Sequence, residues 1–310
     1  MANPKPKKTA NKKSSTKPET KKEVVSKPAI QTASTETSNT SMKVFFARKC
    51  DKDENVLTIF KSPKIWGALI GELIGTMLIT MFMLTLGFNN PLYLVIVMIG
   101  VYAVIVGISG ANLNPLITAG MMATRRMSAI RGVLYMLAQV LGAWIGLIII
   151  NAFRLSSGTV YELPIMEEIT GDTFWTIALI ELMGAAIIAF CFARSLRYVR
   201  RNPLVFSIAV TSAVTLAIVT GSIISGFFEY SGNTFMFNPA TALMYQILPT
   251  TADGFGELAA LAGLALAAYV AIPMIGGIVG FYLSDIATRL SDGGYVCDDC
   301  CDKHCDKVKA

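Results

Sequence analysis

Residues 109–116 read Ser-Gly-Ala-Asn-Leu-Asn-Pro-Leu and residues 235–241 read Phe-Met-Phe-Asn-Pro-Ala-Thr, and these two stretches decide the fold. In each stretch an Asn stands directly before a Pro. The Asn side chain can cap a helix, and the Pro fits the first helical position because its missing N–H is not needed there. Both stretches lie among residues apolar enough for lipid, where a helix can begin only if its free backbone faces protein or a watery cavity. The two motifs therefore predict two half-helices that line one pore.

Six long apolar segments predict six membrane spans. Each segment is long enough to cross, or nearly cross, a hydrocarbon core of ~30 Å. The chain is 53% hydrophobic with a mean hydropathy of +0.55, which exceeds what a soluble core requires. The predicted class is an all-α membrane protein. Its spans cover approximately residues 66–87, 91–108, 131–152, 173–193, 204–224 and 258–284.

The two ends of the chain differ in composition from its apolar body, residues 61–290. Residues 1–60 are rich in Lys, and their first 43 positions carry few large apolar side chains, so we expect a disordered tail. Such a tail suits either contact with anionic lipid on the cytoplasmic side or a purely solubilising role. Residues 291–310 form a second tail that is rich in Cys and contains the single His.

The basic residues predict the orientation, because short cytoplasmic loops keep Lys and Arg. Arg125, Arg126 and Arg131 follow the first Asn-Pro motif, and four further arginines lie between residues 194 and 201. The stretch 202–288 contains no Lys or Arg at all. This pattern places both termini in the cytoplasm and brings the two Asn-Pro motifs in from opposite faces of the membrane.

An internal repeat supports the same topology. Glu72 of the first span and Glu181 of the fourth both sit within Glu-Leu-x-Gly sequences. The distance from Glu72 to Asn114 is 42 positions and that from Glu181 to Asn238 is 57, so the second half carries about 15 extra residues, which we expect near residues 226–234. Since three spans per half is an odd number, the second half must be inverted relative to the first, and inverted repeats place binding sites where broken helices meet.

On these residues the chain resembles the major intrinsic protein family, the aquaporins and glycerol facilitators. The resemblance covers about residues 66–285 and is carried by the paired boxes Asn114-Pro115-Leu116 and Asn238-Pro239-Ala240. It implies an aquaporin-like fold of six transmembrane helices and two re-entrant half-helices, with an amide donor for passing solutes from each Asn. It also implies that Glu72 and Glu181 accept hydrogen bonds from the re-entrant loops as structural supports, although a proton-relay role stays open.

The chain departs from this family at the residues that would select the solute. The family usually has Arg directly after the second Asn-Pro-Ala box, whereas this chain has Thr241. Leu94 and Phe235 are the other predicted filter residues, and the fifth span is expected to contribute a residue between Leu216 and Ile218. A filter without a cation favours a wide pore for neutral solutes such as glycerol. The alternative is that the extra residues of the second half narrow the mouth again.

The C-terminal tail contains a candidate metal site. Cys297, Cys300, His304 and Cys305 lie within nine residues, and thiolate and imidazole groups are good ligands for Zn(II) or Cu(I). A reduced, disordered tail and an acylated cysteine are the alternatives. No cofactor is required by the rest of the sequence.

The leading functional hypothesis is a passive channel for water and small uncharged solutes in the plasma membrane. A secondary transporter is the first alternative, with Glu72 and Glu181 as its candidate ion-coupling groups. A membrane-embedded sensor or scaffold that acts through the Cys/His tail is the second. An enzyme and a nucleic-acid-binding protein are both poorly supported. The family resemblance implies a homotetramer whose partners are lipid, water and small solutes.

Overall fold

The computed structural model describes residues 59–86, 91–157, 169, 171–230, 235–247 and 263–291. The predicted tails fall mainly outside these ranges. The candidate metal ligands Cys297, Cys300, His304 and Cys305 therefore lie beyond the described residues, as do residues 231–234 of the expected insertion and residues 258–262 of the sixth predicted span.

Six helices of the described chain are long and apolar enough to cross a membrane, which confirms the predicted number of spans. The first five are α1 (Pro63–Leu86), α2 (Pro91–Ser109), α4 (Ala129–Ser157), α5 (Gly171–Ser195) and α6 (Pro203–Phe227). The sixth covers Gly263–Ser291 and consists mainly of a π-helical turn (Ala267–Ala271) followed by α8 (Ile272–Ser291). A short 3-10 turn (Leu196–Tyr198) follows α5.

Two further helices are too short to cross. The first half-helix, α3 (Pro115–Ala123), has nine residues and is thus about 14 Å long at 1.5 Å per residue. The second half-helix consists of α7 (Pro239–Ala242) and a π-helical turn (Leu243–Ile247). Both begin at the proline of an Asn-Pro motif, as the sequence predicts.

In each half of the chain, a pair of glycines four residues apart lies at a close contact between two helices. Gly142 and Gly146 of α4 bring that helix against the carbonyl groups of Leu73 and Met77 in α1. Gly276 and Gly280 of α8 lie in the same way against the carbonyl groups of Leu182 and Ala186 in α5. A Cβ on Gly146 would lie 2.8 Å from the Met77 oxygen, and one on Gly276 would lie 2.6 Å from the Leu182 oxygen. Since residues at i and i+4 share a helix face, each pair lets two helices approach closely.

The 15 extra residues of the second half are spread over three places rather than gathered near residues 226–234. Helix α6 has 25 residues where α2 has 19. The connection before it is three residues longer, and the connection from its end to Asn238 is six residues longer than the one between Ser109 and Asn114. The expectation of a single insertion was therefore wrong, because a longer helix cannot be told from a longer loop by counting residues.

Candidate functional site

Each half-helix is capped by the Asn of its own motif. The Asn114 side-chain oxygen accepts a hydrogen bond from the Leu116 N–H at 3.0 Å, and the Asn238 oxygen accepts one from the Ala240 N–H at 3.1 Å. Both Asn residues have extended backbones, and a Pro follows each at the first helical position. The caps satisfy backbone N–H groups that a helix start would otherwise leave free in an apolar setting.

The same two Asn residues join the half-helices to each other. The Nδ2 of Asn114 donates to the carbonyl oxygen of Phe237 at 2.7 Å, and the Nδ2 of Asn238 donates to the carbonyl oxygen of Leu113 at 3.2 Å. The two helices thus meet N-terminus to N-terminus. An amide carries two N–H groups, so each cross-bond uses one and leaves the other to donate to a further oxygen.

The two carbonyl groups that accept these bonds belong to residues with a strained backbone. Leu113 has φ of 53° and Phe237 has φ of 44°, in the left-handed region that bulky side chains rarely adopt. Both residues stand directly before the Asn of their motif, so the strain recurs at equivalent places in the two halves. Residues in such conformations persist only where surrounding contacts over-determine them, and the buried glutamates supply part of those contacts.

Glu72 holds the loop before the first half-helix through four hydrogen bonds. Its carboxylate accepts from the backbone N–H groups of Asn112 at 3.1 Å and Leu113 at 2.7 Å. It also accepts from the Ser109 hydroxyl at 2.5 Å and from the Gln139 amide at 2.7 Å. Each carboxylate oxygen receives two of these donors, and the side chain is fully buried.

Glu181 holds the loop before the second half-helix with fewer partners. It is also fully buried, and it accepts from the N–H groups of Met236 at 2.8 Å and Phe237 at 3.0 Å. Both of these donors are backbone groups. Ser109 and Gln139 thus give the first half a side-chain support that the sequence motif alone did not assign to Glu72.

The predicted filter residues lie in different surroundings. Thr241 is fully buried, and its hydroxyl oxygen is 2.9 Å from that of Thr80 in α1. Leu94 is buried in the main apolar cluster, against which the half-buried Phe235 packs. The ring of Phe235 lies 6.1 Å from that of Phe237.

Gly221 is a residue of α6 that lies beside Phe235. A Cβ on Gly221 would be 3.1 Å from a ring carbon of Phe235. Leu216, at one end of the expected range, is 51% exposed. The contribution of the fifth span from residues 216–218 stays a prediction, and Ala217 within that range is fully buried. The sequence carried no signal for Gly221 or Thr80, whose neighbours Phe235 and Thr241 lie outside their own helices.

No cluster of three or more His, Cys, Asp or Glu residues that could hold a metal ion occurs in the described part of the chain. The metal-site prediction for the C-terminal tail concerns residues outside that part.

Comparisons with known proteins give a family and several relatives. A family model described as "Major intrinsic protein" matches residues 59–286. Aquaporin PIP2-4 of Oryza sativa subsp. japonica is 32% identical over 84 residues, and Aquaporin PIP2-1 of Arabidopsis thaliana is 33% identical over 84 residues. Each match covers 27% of this chain and only 29% of the relative. The aquaglyceroporin structure from Plasmodium falciparum aligns with a TM-score of 0.46 at 18% identity, over 74% of this chain and 96% of that one.

Proposed function

Because the chain belongs to the major intrinsic protein family, we propose that it is a passive membrane channel for water and small neutral solutes such as glycerol. The observation that carries this proposal is the meeting of the two half-helices. Asn114 and Asn238 hold the N-termini together through reciprocal bonds to Phe237 and Leu113, and each amide keeps one N–H that can donate to a solute oxygen.

The half-helices favour uncharged solutes by their direction. A helix N-terminus carries a partial positive charge, and two such ends at one point disfavour cations there. We expect each half-helix to re-enter from its own face of the membrane, with Leu116 and Ala240 completing the two Asn-Pro boxes. The solute would then pass the two amides in single file.

The proposed outer filter consists of Leu94, Phe235, Thr241 and Gly221. Three facts favour a wide, neutral opening. Position 241 carries no cation, Gly221 contributes no side chain, and the Thr241 hydroxyl is engaged with Thr80. Since pore diameter and the lining donors set selectivity, we propose that glycerol-sized solutes pass.

The hydrogen bonds of the two glutamates favour a passive pore over a coupled transporter. Glu72 and Glu181 both accept hydrogen bonds from the loops before the half-helices, so their carboxylates have a structural task. A coupled transporter needs acidic groups that are free to bind an ion along the pathway. We therefore expect the flux to be indifferent to an imposed proton or sodium gradient.

We also propose an orientation, a membrane and an oligomeric state for the channel. The arginines near residues 125–131 and 194–201 support cytoplasmic termini, and we place the protein in the plasma membrane as a homotetramer, a general property of the family. Members of the family need no cofactor. We keep the tail residues Cys297, Cys300, His304 and Cys305 as a proposed Zn or Cu site separate from the pore, to be tested by metal titration of the full chain against a variant with these residues changed to Ser.

The test of the function is stopped-flow light scattering on proteoliposomes, with water efflux and glycerol uptake measured for the parent and for Thr241→Arg. We expect fast glycerol uptake in the parent and at least a tenfold loss in the variant, because Arg adds a long charged side chain at the filter. Thr241→Ser keeps the hydroxyl and serves as the control. Water flux without glycerol flux in the parent would contradict the wide filter, and an absence of both fluxes in folded protein would contradict the channel.

A further inference from the structure

Thr80 and Thr241 form a buried hydroxyl pair that joins the first span to the second half-helix. Their oxygens are 2.9 Å apart, although the residues are 161 positions apart in the chain. Both side chains are fully buried. A buried hydroxyl that loses its partner costs free energy, so this contact has a strong effect on where both side chains point.

The pair joins two hydroxyls of different helices, whereas many other hydroxyls in the described part of the chain bond within their own helix. Many helical Ser and Thr residues bond to the carbonyl group four residues earlier in their own helix, as Thr215 does to Thr211 and Ser207 does to Pro203. For Thr241 the carbonyl group four residues earlier belongs to Phe237, which precedes α7 and accepts the Asn114 amide. The Thr241 hydroxyl turns instead toward α1.

The position of Thr80 on α1 explains why it can reach the second half-helix. Glu72, Thr76 and Thr80 follow one another at intervals of four and so share one face of α1. Glu72 binds the loop before the first half-helix, and Thr80, two turns further along, binds the second half-helix. One face of a single span thus contacts the loop before the first half-helix and the second half-helix itself.

We propose that Thr80 is a positioning residue that determines the solute specificity of the pore. It holds the Thr241 side chain against α1, away from the pore axis, and in this way keeps the outer filter wide. This inference rests on the proposed function, because it assumes that Thr241 stands at the filter. Without the Thr80 hydroxyl, Thr241 turns toward the passing solutes and narrows the opening for the larger ones.

The direct test is Thr80→Val, which keeps the shape of the side chain and removes the hydroxyl. We expect the ratio of glycerol to water permeability in proteoliposomes to fall about fivefold, equivalent to ~1 kcal/mol at 1.4 kcal/mol per tenfold. Thr80→Ser keeps a hydroxyl and should restore the ratio to within twofold of the parent. Both variants should form the same oligomer and show the same melting temperature to within a few degrees.

Two further variants separate positioning from a general effect on the helix. Thr76→Val removes a buried hydroxyl one turn earlier on the same face of α1 that has no hydrogen-bond partner among the described residues, and it should leave the ratio unchanged. In a Thr241→Ala background, Thr80→Val should also leave it unchanged, since Thr80 acts through Thr241.

An unchanged ratio in Thr80→Val, an equal fall in Thr76→Val, or a full effect of Thr80→Val in the Thr241→Ala background would each overturn the inference. These outcomes are distinct from a failure of the proposed function, in which the parent itself passes neither solute.

Discussion

At the scale of single residues, the two buried glutamates show how one motif is supported in two ways. Both oxygens of Glu72 receive donors, with Ser109 and Asn112 on one and Leu113 and Gln139 on the other. One oxygen of Glu181 accepts from both Met236 and Phe237, and the second accepts from Phe237 alone. We therefore expect that replacing the carboxylate by an amide has different effects on stability at the two positions.

We expect Glu72→Gln to lower the free energy of unfolding by about 1–3 kcal/mol more than Glu181→Gln, the cost of buried polar groups left without partners. In either orientation of its amide, a Gln at position 72 would point its NH2 group at N–H or O–H donors, so that a donor would face a donor. A Gln at position 181 can place its oxygen where both backbone donors point. Thermal unfolding of the purified variants in one detergent measures the difference. Equal losses for both variants would contradict the asymmetry.

At the scale of the elements, paired glycines determine how closely the helices cross. Gly142 and Gly146 bring α4 against backbone carbonyls of α1, and Gly276 and Gly280 do the same for α8 and α5. Helix association in lipid depends on such close packing, since lipid is as apolar as a Leu side chain. The crossings involve α1 and α5, the two spans that carry Glu72 and Glu181.

Gly276→Ala tests this crossing. The added Cβ would meet the Leu182 carbonyl oxygen at 2.6 Å and the Ala185 Cβ at 2.8 Å, so α5 and α8 must move apart. We expect a loss of stability of about 1–3 kcal/mol, read as a lower melting temperature together with slower water flux. Gly107→Ala is the matched control. Nothing lies within 4 Å of that Cβ, and this variant should be neutral or up to ~1 kcal/mol more stable. A stable, fully active Gly276→Ala protein would show that the crossing is not tight.

At the scale of the whole molecule, residues near the end of the first half-helix, α3, bind to residues of the last span. Arg126 and Asp285 form an ion pair of 2.6 Å whose side chains are 7% and 10% exposed. The Arg126 guanidinium also lies 5.6 Å from the ring centre of Phe281, and the Tyr282 hydroxyl donates to the Ala123 carbonyl oxygen at 2.9 Å. These contacts join residues almost 160 positions apart and hold α3 against α8.

Asp285→Ala leaves a largely buried arginine without this carboxylate, and we expect a loss of about 3–5 kcal/mol. The double variant Arg126→Met/Asp285→Leu removes both charges and should recover at least half of that loss. Arg125→Met alters an exposed neighbour and should change stability by less than about 0.5 kcal/mol. Chemical unfolding in detergent compares the four proteins. If Asp285→Ala is as stable as the parent, the ion pair does not hold α3 against α8.

The starts of the half-helices and the number of spans could be predicted from the amino-acid sequence alone. Asn114-Pro115 and Asn238-Pro239 are capping signals that act within three or four residues, and hydropathy is a property of each segment alone. Both can be evaluated without a fold. Glu72 and Glu181 were recognisable for a related reason, since a carboxylate in an apolar helix needs partners whatever surrounds it.

The hydrogen-bond partners of the buried polar side chains, in contrast, are set by the packing of the helices. The bonds from Asn114 to Phe237, from Gln139 to Glu72 and between Thr80 and Thr241 join residues 67 to 161 positions apart. The place of Gly221 beside Phe235 depends in the same way on the length of α6. A hydrogen bond requires about 3 Å and a narrow range of angles, and only the packing of the helices sets such distances between remote parts of a chain.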